Sequence, residues 1–150
     1  MSESFRALVL EEADRKVSAS VEELDVSQLP DGDVTIAISY STLNYKDGMV
    51  LNGIGRLVRT YPHVPGIDFS GTVEASSSSD YAVGDKVVLT GWRVGEAHWG
   101  GYAEKARVNS DWLVPLPEGL TDKQAMALGT AGFTAMLAVM DLQDHGVTPE

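Results

Sequence analysis

Four consecutive residues, Asn44-Tyr45-Lys46-Asp47, place an amide, a phenol, an ammonium and a carboxylate side by side. Such a set can donate, accept and orient protons, and a lysine held against a tyrosine can lower a phenol pKa from its ordinary value of about 10. The same residue types also suit a solvated turn with a surface ion pair, and taken alone they leave both readings open. A second ionisable group, Asp68, lies between Ile67 and Phe69 in the stretch Val64-Pro65-Gly66-Ile67-Asp68-Phe69-Ser70-Gly71. A carboxylate inside an apolar strand costs free energy unless it is hydrogen-bonded or charge-paired, so Asp68 is either a structural latch or part of a site.

Other chemistries find less support. His63, His98 and His145 are far apart and have no partner at metal-ligand spacing, and the chain has no cysteine, so no metal site is expected. Arg56, Arg59 and Arg93 fall in glycine-containing loops, where guanidinium forks could hold phosphates or simply face solvent. No Gly-x-Gly-x-x-Gly or Walker-type loop occurs, so these residues carry no nucleotide cradle of their own. Ser41, Ser70 and Ser110 lack the context of a nucleophile elbow.

The elements that must position these groups are short. Residues 5–10 and 17–21, joined across Asp14-Arg15-Lys16, predict a hairpin. After the turn Asp31-Gly32-Asp33, residues 34–40 predict a strand with Val34, Ile36, Ile38 and Tyr40 on one face. Residues 43–48 are expected to be a loop, and 49–55 a short irregular or helical passage. Pro62 and Pro65 deny helix to the next stretch, and 66–75 predicts a second strand. Residues 76–80 predict a solvated loop, 83–85 a turn, 86–89 a strand, 92–101 a shaped loop, 102–108 a strand and 112–117 an apolar edge. Thr121-Asp122-Lys123-Gln124 has the form of a capping box, so a helix starts there. Phe133, Met136, Leu137 and Met140 form a second helical set, closed by His145-Gly146. Residues 125–142 are apolar nearly all round and require cover from elsewhere. Strand pattern yields to helix pattern near 117–120.

At 150 residues the chain can bury roughly 68–70% of its unfolded surface. A net charge of −11 argues against nucleic acid as a partner. The absence of cysteine fits a reducing compartment, and the first residues carry an early acid and no apolar stretch of signal-peptide type. The apolar run 125–140 falls short of the ~20 residues a membrane span needs, so no membrane is expected.

The segments Leu43-Asn44-Tyr45-Lys46-Asp47-Gly48, Pro65-Gly66-Ile67-Asp68-Phe69-Ser70-Gly71, Gly84-Asp85-Lys86-Val87, Gly100-Gly101-Tyr102-Ala103-Glu104 and Gly129-Thr130-Ala131-Gly132-Phe133-Thr134-Ala135 together resemble the medium-chain dehydrogenase/reductase superfamily. Within it the likeness is greatest to the zinc-free branch of quinone oxidoreductase-like enzymes and acrylyl-CoA reductases, and it covers essentially the whole chain. The resemblance implies a mainly β fold, a GroES-like barrel with C-terminal helices. Residues 1–120 would be the catalytic domain, and residues 121–150 would be helices leading into a Rossmann domain that lies outside these residues and binds NADPH. It further implies a cytoplasmic homodimer whose substrate is a small acyl-CoA or enone. The expected reaction is NADPH-dependent, metal-free reduction of an activated C=C bond, acrylyl-CoA to propionyl-CoA, by the intact enzyme and not by these 150 residues alone. A quinone or enone reductase is the alternative, and a non-catalytic GroES-like interaction module is the alternative of another class.

By the same resemblance Tyr45 is the proton donor or enolate-side ligand, tuned by Lys46 and Asp47. Asn44, Tyr45, Thr130 and Thr134 line the cofactor, and Arg93 contacts substrate or CoA. An enzyme cleft then predicts Tyr45, Asp47 and Arg93 around one cavity at the junction with Thr130, whereas their dispersal favours the module. Zinc-dependent relatives present Gly-His-Glu where this chain has Gly66-Ile67-Asp68. Asp68 is therefore expected to be a latch near the cleft, paired with a neighbouring base.

Overall fold

The computed structural model describes residues 3–147. Strands β1 (Ser4–Ala13) and β2 (Lys16–Asp25) form the expected hairpin, in register from Ser4 opposite Asp25 to Ala13 opposite Lys16. Asp14 and Arg15 both take left-handed backbone (φ 52° and 63°), the conformation that joins two twisted strands through a two-residue turn.

The other five strands make one antiparallel sheet in the order β6-β3-β4-β5-β7: β3 (Val34–Ser41), β4 (Asp68–Ser76), β5 (Lys86–Thr90), β6 (Lys105–Val108) and β7 (Val114–Pro115). Its buried face gathers Val34, Ile36, Phe69, Val73, Val87, Leu89 and Val108. The face expected along β3 holds for Val34, Ile36 and Ile38, but the pairing with β4 slips between Ile38 and Tyr40, and Tyr40 is 46% exposed. Such a bulge turns the following side chain away from the core.

The hairpin and the sheet are joined through the backbone. Leu8 N–H donates to Tyr102 O (2.8 Å), Glu104 N–H donates to Arg6 O (2.9 Å), and Leu10 and His63 exchange both of their backbone hydrogen bonds. Residues 102–104 therefore bridge to β1, and β6 is shorter than the strand predicted over 102–108.

Two helices complete the chain. Helix α1 (Tyr45–Leu51) begins where a loop was expected: the polar residues are its first turn, with Asn44 as extended N-cap. Helix α2 (Asp122–Asp144) starts at the predicted capping box, with Thr121 N–H donating to Gln124 Oε1 (2.9 Å) and Gln124 N–H donating to Thr121 Oγ1 (3.3 Å). It is broken at Gly129 (φ 50°, ψ −158°). Before the break Ala125 and Met126 pack on Val88. Beyond it Phe133, Met136, Leu137 and Met140 are each at least half exposed, beside an apolar groove of about 650 Å³ that also borders Val88 and Val114. The helix is 23 residues long, so by length and composition it could cross a membrane, contrary to the shorter run read from sequence. The break leaves roughly 15 continuous residues, about 22 Å at 1.5 Å each, which is short of the ~30 Å hydrocarbon layer.

Candidate functional site at the Asp68 junction

Asp68 opens β4 and is fully buried. Its Oδ2 accepts from the backbone N–H of Thr130 (2.8 Å) and from Asn44 Nδ2 (3.1 Å), and its Oδ1 accepts from Thr130 Oγ1 (2.6 Å). Its main-chain oxygen takes the hydroxyl of Ser41 (2.6 Å). The side chain thus caps the outer segment of α2, where the helix dipole favours negative charge. The partners are neutral donors and a helix terminus, not the base expected from sequence. No spacing rule could find them, since Thr130 lies 62 residues away.

The four residues 44–47 diverge once folded, because successive positions on a helix do not face one another. Asp47 turns inward and is fully buried, its Oδ1 accepting from Ile67 N–H (3.0 Å) and its Oδ2 from Asn44 N–H (2.8 Å). Lys46 reaches Glu96 Oε1 (2.9 Å) on the facing loop. Tyr45 is 88% exposed, and among the described residues its hydroxyl has no hydrogen-bond partner. Asp47 and Lys46 therefore fix α1 in place and do not surround the phenol, which corrects the tuning arrangement expected for them. Tyr45 lines an open cleft of about 460 Å³ with Leu43, Asn44, Met49 and Ile54. Apolar walls with two amides, Asn44 and Asn52, and one hydroxyl suit a flat ring that carries a carboxamide, so these residues fit the nicotinamide end of a dinucleotide. Thr134 sits one turn beyond Thr130 and donates its hydroxyl to Thr130 O (2.8 Å).

Sequence reasoning missed Tyr102. Its hydroxyl donates to Thr42 O (3.1 Å), and its pKa is pushed well up by burial first, then by the charge and hydrogen bond of Asp47 and the charge of Asp68. The phenol therefore keeps its proton beside two carboxylates.

The loop over 91–101 crosses the 64–68 segment at backbone contact. Gly100 N–H donates to Val64 O (2.7 Å) and Gly101 N–H to Gly66 O (2.8 Å), and a Cβ on Gly100 would stand 2.3 Å from Gly66 O. Only glycine allows this approach. The loop carries Arg93, which is exposed with left-handed backbone (φ 58°). Arg93 lines a different cleft, of about 240 Å³, with Leu57, Arg59, Thr60, His63 and Glu96. The single cavity expected around Tyr45, Asp47 and Arg93 is thus replaced by two clefts with no lining residue in common, and Thr130 is joined through Asp68 to Asn44. Among the described residues no group of three or more His, Asp or Glu side chains could hold a metal ion.

Comparison with known proteins agrees with this architecture. Residues 30–118 match the alcohol dehydrogenase GroES-like domain. The chain is 66% identical, over 97% of its length and 44% of the relative's, to acrylyl-CoA reductase AcuI of Ruegeria pomeroyi, and 34% identical, over 73% of its length and 32% of the relative's, to a quinone oxidoreductase of Sus scrofa. Among solved structures it resembles the YhdH oxidoreductase of Salmonella enterica in complex with NADP (TM-score 0.93, 56% identity, 96% of this chain and 44% of that one). It also resembles the Bacillus subtilis protein YhfP with NAD bound (TM-score 0.95, 44% identity, 99% of this chain and 45% of that one). The chain spans less than half the length of these relatives. It belongs to the family of alcohol dehydrogenase GroES-like domains, on the quinone oxidoreductase and acrylyl-CoA reductase side of the medium-chain dehydrogenase/reductase superfamily.

Proposed function

We propose that the intact enzyme reduces the activated C=C bond of acrylyl-CoA to propionyl-CoA with NADPH. The observation that carries the substrate is the 66% identity to an acrylyl-CoA reductase, and the NADP-bound relative supports the cofactor. Dispersal of Arg93 from Tyr45 speaks for a non-catalytic module, but this likeness runs over 97% of the chain and outweighs it. When bound, the nicotinamide supplies the hydride. Residues 1–120 act as the catalytic barrel, and residues 121–150 lead to a Rossmann domain seated on the apolar face of α2. The protein works as a cytoplasmic homodimer on a small thioester.

In this reading Tyr45, exposed at the rim of its cleft, donates a hydrogen bond to the thioester oxygen as negative charge develops there and supports proton delivery to the α-carbon. Asn44, held by Asp68, orients the ring or the thioester, and Thr130 and Thr134 border the cofactor. Asp47 and Lys46 serve as positioning residues. In the intact enzyme Tyr45→Phe is expected to lower kcat on acrylyl-CoA by about 10²-fold or more. A wild-type rate removes Tyr45 as donor. The likeness to a quinone oxidoreductase favours a second reading, reduction of quinones or enones by the same chemistry. Equal kcat/KM on acrylyl-CoA, free acrylate and a small quinone would establish it in place of the first.

A further inference from the structure

The cleft of about 240 Å³ beside Arg93 has no role in the reading above beyond an arginine near the substrate. It brings together the side chains of Arg59 and Arg93, and neither makes an ion pair or side-chain hydrogen bond among the described residues. Arg59 also lines the adjoining cleft of about 580 Å³, with Arg15 and Arg56. Four of the chain's 11 basic residues thus converge on two neighbouring clefts of a molecule whose net charge is −11. Glu96 is the acid in the smaller cleft, and its charge is met by Lys46 at 2.9 Å. Glu12 belongs to the larger cleft.

The independent observation is His63. It is a wall residue of the same cleft, 3% exposed, and its Nε2 is buried with no hydrogen-bond partner. A buried ring nitrogen without a partner is uncommon, and a small turn of the ring toward the cleft would let a bound group satisfy it. Two guanidinium forks and the Thr60 hydroxyl form a donor set that recognises a tetrahedral oxyanion, with the His63 ring behind them.

We propose that the cleft walled by Arg59, Thr60, His63 and Arg93 is a phosphoryl-binding site. The site stands on these residues alone. Its occupant, the phosphorylated nucleotide end of a CoA thioester, rests on the proposed function.

The test uses the intact enzyme. 3′,5′-Adenosine bisphosphate and orthophosphate are titrated calorimetrically against wild type and against the Arg59→Gln/Arg93→Gln double variant, whose sites are exposed and whose folding is checked by its thermal midpoint. The expected result is at least tenfold weaker binding of the bisphosphate in the variant, with a movement of the His63 Nε2 nitrogen resonance on titration of wild type. Equal affinity in both proteins overturns the site, and an unmoved resonance removes His63 from it. Steady-state kinetics identify the carrier. A tenfold rise in KM for acrylyl-CoA at unchanged kcat, with no change for the phosphate-free acrylyl-pantetheine, assigns the site to the CoA arm. A rise in KM for NADPH instead overturns that assignment. If wild type reduces no thioester, the proposed function fails, and the calorimetric comparison still decides the anion site.

Discussion

At the scale of single residues the junction is held by two buried carboxylates that touch only uncharged donors. Asp68→Asn replaces one acceptor oxygen by an NH₂ group facing the Thr130 N–H, its hydroxyl or the Asn44 amide. The expected loss is about 1–3 kcal/mol, read as a lower thermal midpoint of the intact protein. His63 gives a pH dependence with a defined sign. Burial holds its pKa below the usual histidine value, outweighing a backbone hydrogen bond with Gly95 that favours the charged form. Its folded pKa is thus below its unfolded one, so its contribution is intact above about pH 6.5 and is lost as pH falls toward the folded value. The tryptophan-fluorescence urea midpoint should therefore decline from pH 7 to pH 5, and His63→Gln should flatten that decline. The sequence showed that Asp68 required partners, because an acid between Ile67 and Phe69 cannot be left bare. It could not name them, since they come from α1 and from the far side of the Gly129 break. Tyr102 lies in a segment that carried the resemblance, but nothing local marked its buried phenol, because its two carboxylate neighbours come from other segments.

At the scale of elements, Gly129 decides the course of α2. Its backbone (φ 50°, ψ −158°) is one that side-chain-bearing residues avoid, and a Cβ there would lie 2.9 Å from Asp68 Oδ2 and 3.0 Å from Thr42 Cγ2. Gly129→Ala should cost on the order of 1–3 kcal/mol and pull Thr130 off the carboxylate, a change visible as loss of hydrogen-exchange protection at the Thr130 amide. The two helical sets read from sequence are the two segments of α2, and they meet at this glycine. The Thr121 capping box was legible because its reciprocal bonds are local. The corresponding start of α1 was not read, because Asn44-Tyr45-Lys46-Asp47 has the composition of a loop; Asp47 accepts locally from the Asn44 N–H and, across the fold, from the Ile67 N–H.

For the whole molecule, the alternation of apolar and polar residues fixed the strand count closely, and the apolar stripe of α2 announced a surface in need of cover. The division of the expected cavity into two clefts was not legible, because it depends on how the 91–101 loop crosses Gly66. The uncovered stripe has a direct test. The 150-residue chain should bind anilinonaphthalene sulfonate at the groove beside Phe133 and Met136, and Phe133→Glu with Met136→Glu should reduce the fluorescence several-fold. Unchanged fluorescence would locate the exposed apolar surface elsewhere.

Asp68 also sets a kinematic condition. Its main-chain oxygen holds the end of β3, and its carboxylate holds the N-cap of α1 and the first residue of the outer α2 segment. Three elements thus share one anchor. Any rotation of the outer segment about Gly129 that keeps these bonds must carry Asn44 with it and shift the rim on which Tyr45 stands. Structures with the cleft wide and narrow, superposed on β4, should therefore show Asn44 and Thr130 displaced in the same direction by similar amounts.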